Sequence, residues 1–370
     1  MIKVYVEKET LQEYWTQEIL KYYKNYEIIN SEEEIFNKIQ PEEMKNTLLV
    51  KKSKGEIVKD CPGTQESYLC CGYKVINQTI NCPLDCSYCI LQYYINKPVT
   101  IIYTDFEDIF KQAEKLIKIM GKNILRIGTG ELSDSLAHKG TIVFAKEAVK
   151  FFSKKKNVFF ELKTKTTNID EILNVEHNEN IVLSWSVNPD KIVMSEEKLS
   201  ASLSARIKAA KRSIDAGFLV GFHFDPIVYY KNCEIDYEKV VDMIYENIPP
   251  EKIAWISLGS LRYPPATKDK ISDRHPETKI IYQEMIKGLD GKLRYPRPLR
   301  TMLYRKVYDK LMNVNEPPFV YFCMESKEVW QDIMGWYPEN NEEFENRFAI
   351  ELYKRFKHSG LIKPKRKFKF

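Results

Sequence analysis

The sequence lacks long apolar segments. No uninterrupted run of about 18 apolar residues, the length that spans a bilayer, occurs among its 370 residues. The first residues, 1–6, also lack the apolar block of a secretory signal peptide. We therefore expect a cytoplasmic protein that does not associate with membranes.

Histidine is scarce, with five residues in the whole chain, and no order of serine, histidine and aspartate typical of hydrolases is legible. The composition excludes disorder, because 44% of the residues are hydrophobic and 12% are aromatic. The net charge of +5 is too small to identify a partner. The length allows one large α/β domain with additions, or two domains.

Eight cysteines are present, and six of them lie between Cys61 and Cys89. Because the cytosol keeps thiols reduced, they are better candidates for metal ligands or free thiols than for disulfides. Cys82, Cys86 and Cys89 have the spacing CxxxCxxC, which brings three sulfur atoms together if a loop leads into a helical turn. Structural zinc takes four ligands, whereas an iron–sulfur cluster held by three cysteines keeps one iron atom open.

Two other interpretations of these three thiols remain open. A zinc site can be completed by Cys61, Cys70 or Cys71, or the thiols are buried and unrelated to any metal. Adjacent cysteines do not easily bind one ion, so we expect Cys61, Cys70 and Cys71 to be buried structural thiols.

Strand and helix patterns alternate through the middle of the chain. Six strands separated by helices are typical of a parallel sheet with right-handed crossovers, and six units are too few for a closed eight-stranded barrel. The predicted strands are residues 73–77, 124–127, 158–162, 181–186, 218–224 and 253–258, and the predicted helices are residues 105–120, 141–154, 169–173, 203–216 and 237–246.

Three regions follow from this pattern. We expect an α/β extension at residues 1–60, a partial barrel at residues 61–260 and a C-terminal extension at residues 261–370. The first region carries no motif for chemistry, so we interpret it as a scaffold. In the last region, residues 319–324 are predicted as a strand and residues 329–337 as a helix and turn.

Polar residues stand where the predicted strands end, and the carboxyl ends of parallel strands are where such folds bind ligands. Gly128 and Gly130 allow a ligand to approach the backbone, and Glu131 can bind an ammonium group. The other candidates at strand ends are Lys165, Ser186, Asn188 and Asp225.

The CxxxCxxC spacing, with Tyr88 directly before the last cysteine, resembles the signature of the radical S-adenosylmethionine (SAM) enzymes. The resemblance implies a partial (β/α)6 barrel of the TIM type and a [4Fe–4S] cluster on Cys82, Cys86 and Cys89, whose open iron is chelated by SAM. It implies that Glu131 receives the amino group of SAM. The SAM-binding residues that it implies are Tyr88, Gly128, Gly130, Glu131, Lys165, Ser186, Asn188 and Asp225.

A closer resemblance is to the spore photoproduct lyase family, and it extends in spacing and order over residues 61–92, 128–136, 186–188, 221–227 and 323–325 and the segment of Lys165. It implies reductive cleavage of SAM to a 5′-deoxyadenosyl radical, which abstracts hydrogen from the substrate. In the lyase the substrate is a cross-linked thymine pair in DNA. We also expect an electron donor such as flavodoxin or ferredoxin, and a monomer.

Two positions depart from the pattern of that family. Glu131 lies in the segment where the lyase has a hydrogen-donating cysteine, and Ile90 stands where the lyase has a tyrosine that assists hydrogen return. A carboxylate cannot return a hydrogen atom as a thiol does, because its O–H bond is far stronger. The sequence therefore favours pyrimidine photoproduct repair or a related nucleic-acid reaction, and it names no catalytic residue.

A basic and aromatic region lies between residues 292 and 310, and the tail at residues 363–370 adds positive charge. Arginines bind phosphates and aromatic side chains stack on unpaired bases, so this composition favours nucleic-acid contact. The alternative is a solvated helix whose tyrosines pack inward. The predicted nucleic-acid contacts are Arg294, Tyr295, Arg297, Arg300, Tyr304 and Arg305.

Two other functions stay open. Radical chemistry directed at a protein, a peptide or a small molecule needs the same cysteines and the same strand-end residues. A zinc-stabilised nucleic-acid-binding protein needs the cysteines and the basic region but performs no catalysis.

Overall fold

The computed structural model describes residues 2–63 and 67–356, together with residues 361 and 363. The N-terminal region is an α/β layer in which β1 pairs in parallel with both of its neighbours. All five residues of its third strand are buried. Its elements are β1 (Lys3–Glu7), α1 (Tyr14–Leu20), β2 (Glu27–Ile29), α2 (Glu33–Phe36), β3 (Thr47–Lys51) and β4 (Val58–Asp60).

The middle of the chain alternates strands and helices, as the sequence predicts. Its strands are nearly continuous apolar runs, because helices and the opposite wall of the barrel cover both faces. The elements are β5 (Lys74–Ile76), β6 (Thr79–Ile80), α3 (Leu91–Tyr94), β7 (Thr100–Tyr103), α4 (Phe106–Met120), β8 (Leu125–Thr129), α5 (Lys139–Ser153), β9 (Val158–Thr164), α6 (Asp170–Leu173), β10 (Ile181–Ser186), α7 (Asp190–Glu196), α8 (Leu203–Asp215), β11 (Leu219–Ile227), α9 (Cys233–Asn247) and β12 (Ile253–Ser260).

The C-terminal region begins with a small antiparallel sheet and continues with helices that pack on the barrel. The small sheet has the strand order β13-β15-β14. The elements of this region are β13 (Arg262–Tyr263), α10 (Thr267–Arg274), β14 (Ile286–Lys287), β15 (Leu293–Arg294), α11 (Arg297–Met312), β16 (Val320–Phe322), α12 (Lys327–Met334) and α13 (Asn341–Arg355).

The main sheet confirms the predicted fold class, a partial barrel. The six predicted strands are neighbours in the order β12-β11-β10-β9-β8-β5 and all run parallel. One further strand extends each edge, since β16 pairs in parallel with β12 and β4 pairs antiparallel with β5. The parallel order brings the carboxyl ends of the strands to one edge, where the predicted ligand residues stand.

Four elements of the middle region differ from the sequence prediction. β6, α3, β7 and α7 were not predicted, and β7 joins β3 of the N-terminal sheet while β6 pairs antiparallel with β7. The N-terminal sheet therefore includes strands beyond residue 60, and the division of the chain at residues 60 and 260 stays a prediction. Among the described residues, no helix is both long enough and apolar enough to cross a membrane.

The basic and aromatic region between residues 292 and 310 is mostly interior, which corrects the prediction that it contacts nucleic acid. Arg294, Tyr295, Arg300 and Tyr304 are each at most 5% exposed, and a buried side chain cannot reach a phosphate or a base. Most of their polar groups have protein partners instead. The prediction is therefore wrong for these four residues.

The partners explain why the arginines are buried. Arg294 forms an ion pair of 2.8 Å with Asp290, and Arg300 Nε lies 3.0 Å from Glu325 Oε1. Of the two predicted contacts nearer the surface, Arg297 pairs with Asp332, and Arg305 donates to backbone carbonyls at the end of α12. Of the basic tail at residues 363–370, only residue 363 is described, and residues 364–370 lie outside the described residues.

Replacing Arg300 with methionine should destabilise the protein by about 3–5 kcal/mol, because Glu325 would be left as an unpaired buried charge. Arg297→Met removes an exposed ion pair and should cost at most about 1 kcal/mol. Urea unfolding of both variants measures the difference. Equal losses of stability would contradict the assignment of Arg300 to the interior.

Candidate active site at the carboxyl ends of the strands

The three motif cysteines lie on a loop that leads into a helical turn, as the spacing predicts. Asn81 and Asp85 adopt positive φ values of 68° and 50°, which bend the loop tightly. The amide of Cys89 then donates to the carbonyl of Cys86 over 3.1 Å. Cys86 is buried, whereas Cys82 and Cys89 are partly exposed.

The arrangement of these thiols bears on the kind of metal group that they could hold. Among the described residues, no three histidine, cysteine or acidic side chains come together as ligands of one metal ion. Zinc needs all its sulfur ligands at about 2.3 Å, whereas a [4Fe–4S] cubane places each cysteine on a different iron atom. Burial raises the pKa of Cys82 to about 12 and raises that of Cys86 well above its usual range. Both therefore stay protonated until a cationic group binds.

Tyr88 and Asn188, two of the predicted SAM-binding residues, are joined by a carboxylate that the sequence reading missed. Glu197 Oε1 accepts hydrogen bonds from Tyr88 Oη and from Asn188 Nδ2, the latter over 2.9 Å. The other carboxylate oxygen lies 2.5 Å from Arg206 Nη2, and neither side chain of this ion pair is exposed. Arg206 also donates to the backbone carbonyl of Ser186 over 2.8 Å. The ends of β10 and the motif loop are thus held by one charge pair.

Lys165 lies in the same network. Its ammonium is 5.8 Å from the centroid of the Tyr88 ring. Burial alone would lower the pKa of Lys165, but the carboxylate of Glu197 raises it, so the side chain stays charged. Likewise, burial alone would raise the pKa of Glu197, but Arg206 and Lys165 lower it to about 2. A cation is therefore available beside the motif loop.

The two predicted glycines have a packing role. A side chain at Gly128 would lie 2.1 Å from Tyr73 Oη and 2.3 Å from the carbonyl of Glu161. Gly130 has a φ of +100° and would meet the carbonyl of Lys163 at 2.8 Å. Both glycines therefore allow β8 to approach β9 closely, which positions the residues that follow them.

Glu131 and Asp225 form ion pairs of their own, away from the network of Glu197. Glu131 pairs with Lys163 of β9, a residue that the sequence reading passed over in favour of Lys165. Asp225 is bound by Arg262 through two hydrogen bonds of 3.1 Å each. The guanidinium also lies 3.5 Å from the thiol of Cys323. The two pairs lie at the ends of β8 and β9 and at the ends of β11 and β12.

A buried polar group lies within the sheet behind these pairs. His223 Nε2 is 2.8 Å from Glu161 Oε1, and His223 Nδ1 is 2.6 Å from Ser257 Oγ. Burial alone would raise the pKa of Glu161, but His223 and Lys163 lower it to about 2. No sequence pattern marked this set, because its members come from three strands.

Sequence and structure comparisons identify similar proteins. A family model described as spore photoproduct lyase matches residues 2–301. The spore photoproduct lyase of Clostridium acetobutylicum is 26% identical over 200 residues, which are 54% of this chain and 59% of the relative. That of Bacillus subtilis is 26% identical over 206 residues, which are 55% of this chain and 60% of the relative. The alignments thus span about three fifths of the length of these relatives.

Solved structures support the fold. A spore photoproduct lyase complexed with dinucleoside spore photoproduct aligns with a TM-score of 0.75 and 21% identity, covering 87% of this chain and 99% of that chain. A double mutant of spore photoproduct lyase with bound AdoMet and dinucleoside spore photoproduct aligns with a TM-score of 0.76, with the same identity and coverage. At this identity the likeness establishes the partial barrel.

Acid should destabilise the protein through the two buried carboxylates. Glu161 and Glu197 have pKa values of about 2 in the fold, below the value of about 4.3 for an unfolded chain. Their contribution is present above about pH 4.3 and is lost as the pH falls towards 2. Urea unfolding of Glu197→Gln across this range should show a shallower pH dependence than the wild type. The exposed Glu246→Gln variant should follow the wild type, and parallel curves for all three proteins would contradict the assignment.

Proposed function

Because this chain belongs to the spore photoproduct lyase family, we propose that it is a radical SAM enzyme that acts on nucleic acid. In this proposal Cys82, Cys86 and Cys89 hold a [4Fe–4S] cluster, and SAM binds beside it. The observation that carries the proposal is the placement of three thiols next to the network of Tyr88 and Lys165, at the carboxyl ends of the strands. Cluster, cofactor and substrate then share the opening of one partial barrel.

The residues of the chain have separate tasks in this proposal. The bound cluster and SAM supply a 5′-deoxyadenosyl radical when an electron arrives from a donor such as flavodoxin or ferredoxin. The ammonium of Lys165 pairs with the carboxylate of SAM, since its charge is retained in the buried network. Ser186 lies at the end of β10 and fits a hydrogen bond to a ribose. The side chain of Asn188 is fully buried and is bound by Glu197 and Tyr237, so its task is to hold Glu197 in place. Burial of Tyr88 against Glu197 keeps water from this side of the site.

A surface next to the motif loop combines lysines with exposed aromatic rings. This is the composition that we expected of the basic region at residues 292–310, which is buried. We call it the aromatic face, and it consists of Tyr93, Tyr94, Lys268, Lys270 and Tyr282. The rings of Tyr94 and Tyr282 are 50% and 61% exposed. Lys268 lies 5.4 Å from the centroid of the Tyr282 ring, and Lys270 lies 5.7 Å from that of Tyr93. Exposed rings can stack on unpaired bases, and lysines can neutralise phosphates.

A hairpin reinforces the nucleic-acid part of the proposal. β14 and β15 pair antiparallel, and the turn between them carries Leu289, which is 79% exposed. Ile286 on the same hairpin is 47% exposed. Apolar side chains of this kind can be wedged between bases to unstack them. We therefore propose pyrimidine photoproduct repair, or a related reaction on a nucleic-acid base, as the activity.

Replacing Cys86 with alanine should abolish the cluster, since only two thiols of the motif would remain. After anaerobic reconstitution with iron and sulfide, the variant should lose the broad absorbance near about 400 nm that such clusters show and should form no 5′-deoxyadenosine. Cys233→Ala, which removes a buried thiol on α9, is the matched control and should retain both. Stoichiometric zinc in the wild type, with no bound iron, would refute the enzyme proposal.

Neutralising two lysines of the aromatic face should weaken nucleic-acid binding in a salt-dependent way. For Lys268→Gln/Lys270→Gln, the slope of log K against log salt should fall by about one to two, because each lost phosphate contact removes about 0.7–0.9. Fluorescence anisotropy with a single-stranded oligonucleotide measures this slope. Lys115→Gln/Lys118→Gln on α4 removes the same charge elsewhere and should leave it unchanged. Equal slopes for the two double variants would place the binding surface elsewhere.

A further inference from the structure

Helix α10 contacts the motif loop directly. Arg274, the last residue of α10, places Nη2 2.6 Å from Oδ1 of Asp85, which stands between the first two motif cysteines. Its Nη1 lies 3.2 Å from Oε1 of Gln92, just beyond the last motif cysteine. One guanidinium therefore bridges the two sides of the loop.

The contact continues to a cysteine of the motif. The amide nitrogen of the Gln92 side chain donates to the carbonyl of Ser87 over 2.8 Å and approaches that of Cys86 at 3.4 Å. The orientation of Gln92 is set by Arg274, because the amide oxygen accepts from the guanidinium while the amide nitrogen faces the loop. A displacement of Arg274 would therefore move the backbone that carries Cys86.

The same helix carries part of the aromatic face. Lys270 lies one turn before Arg274, donates to the carbonyl of Gln92 over 3.2 Å and approaches the ring of Tyr93. Lys268 lies at the start of the helix beside Tyr282. A ligand that binds these lysines and rings thus contacts a helix whose other end holds the motif loop.

A second connection follows the end of α10. Thr278 Oγ1 donates to a carboxylate oxygen of Glu196 over 2.6 Å. The backbone carbonyl of Glu196 accepts from the amide of Ser87 over 2.9 Å. The segment after the helix therefore reaches the motif loop by a separate path, which keeps the loop attached to the rest of the fold when Arg274 alone is changed.

We propose that Arg274 is a positioning residue that couples nucleic-acid binding at the aromatic face to the reactivity of the cluster loop. The inference rests on the proposed function and adds a regulation to it, in which the bound substrate promotes SAM cleavage. Such coupling limits radical formation when no substrate is present. The side chains of Arg274 and Asp85 are 30% and 28% exposed, so their loss should leave the fold intact.

The test compares reconstituted holoenzymes with and without a saturating single-stranded oligonucleotide. In the wild type, the oligonucleotide should raise the rate of 5′-deoxyadenosine formation by about fivefold or more and change the electron paramagnetic resonance spectrum of the reduced cluster with SAM. In Arg274→Gln both responses should be lost, with the iron content unchanged. Asp85→Asn should behave in the same way, and Arg274→Lys should restore part of the response.

The matched control is Arg212→Gln, which breaks an ion pair of the same length, 2.6 Å, between α8 and α6. It should respond to the oligonucleotide as the wild type does. A full response in Arg274→Gln would overturn the coupling. A wild type that binds the oligonucleotide and cleaves SAM without any response would also overturn it and leave the proposed function standing. A wild type that forms no 5′-deoxyadenosine or binds no oligonucleotide would contradict the proposed function itself, and the coupling with it.

Discussion

The ion pair between Glu197 and Arg206 is the interaction on which the candidate site depends. Both side chains are fully buried, and two charges are removed from water at a high cost unless each is paired and hydrogen-bonded. Glu197 meets this condition through Tyr88 and Asn188, and Arg206 meets it through the carbonyl of Ser186. The pair thereby fixes the motif loop to the end of β10. Loss of any one partner would leave a buried charge or polar group unpaired.

The parallel sheet extends this arrangement around the opening. The ends of β8, β9 and β11 contribute charges that are paired with a neighbouring element, Glu131 with Lys163 and Asp225 with Arg262. Paired charges hold side chains in defined positions without apolar packing. Gly128 and Gly130 make the pair of Glu131 and Lys163 possible, because a side chain at either position would separate β8 from β9. The opening is consequently polar and preorganised.

The alternation of apolar runs and helical patterns predicted the barrel well, because each strand is an apolar run that can be recognised from the local sequence. β7 was missed because it joins the N-terminal sheet and so lies outside the alternation of barrel strands and helices. α7 was missed because it follows β10 after only a short loop. The charged pairs of the interior and of the candidate site were harder to predict, because the two residues of a pair are distant in sequence. Composition gave no indication that Arg300 would be buried against Glu325, and nothing near Tyr88 pointed to Glu197, more than a hundred residues later. Spacing identified the cysteines because their geometry is local.

The two departures from the lyase pattern have different structural settings. Ile90 precedes α3 and directly follows the last motif cysteine, so its side chain belongs to the motif loop. Glu131 forms an ion pair with Lys163 of β9, and a paired carboxylate has no weakly bound hydrogen to give. Tyr88 and Lys165, the groups that we propose bind SAM, gather in one network, and neither departure removes a member of it. The proposal therefore assigns the two sequence differences to how a reaction ends, and the network around Tyr88 to how it begins.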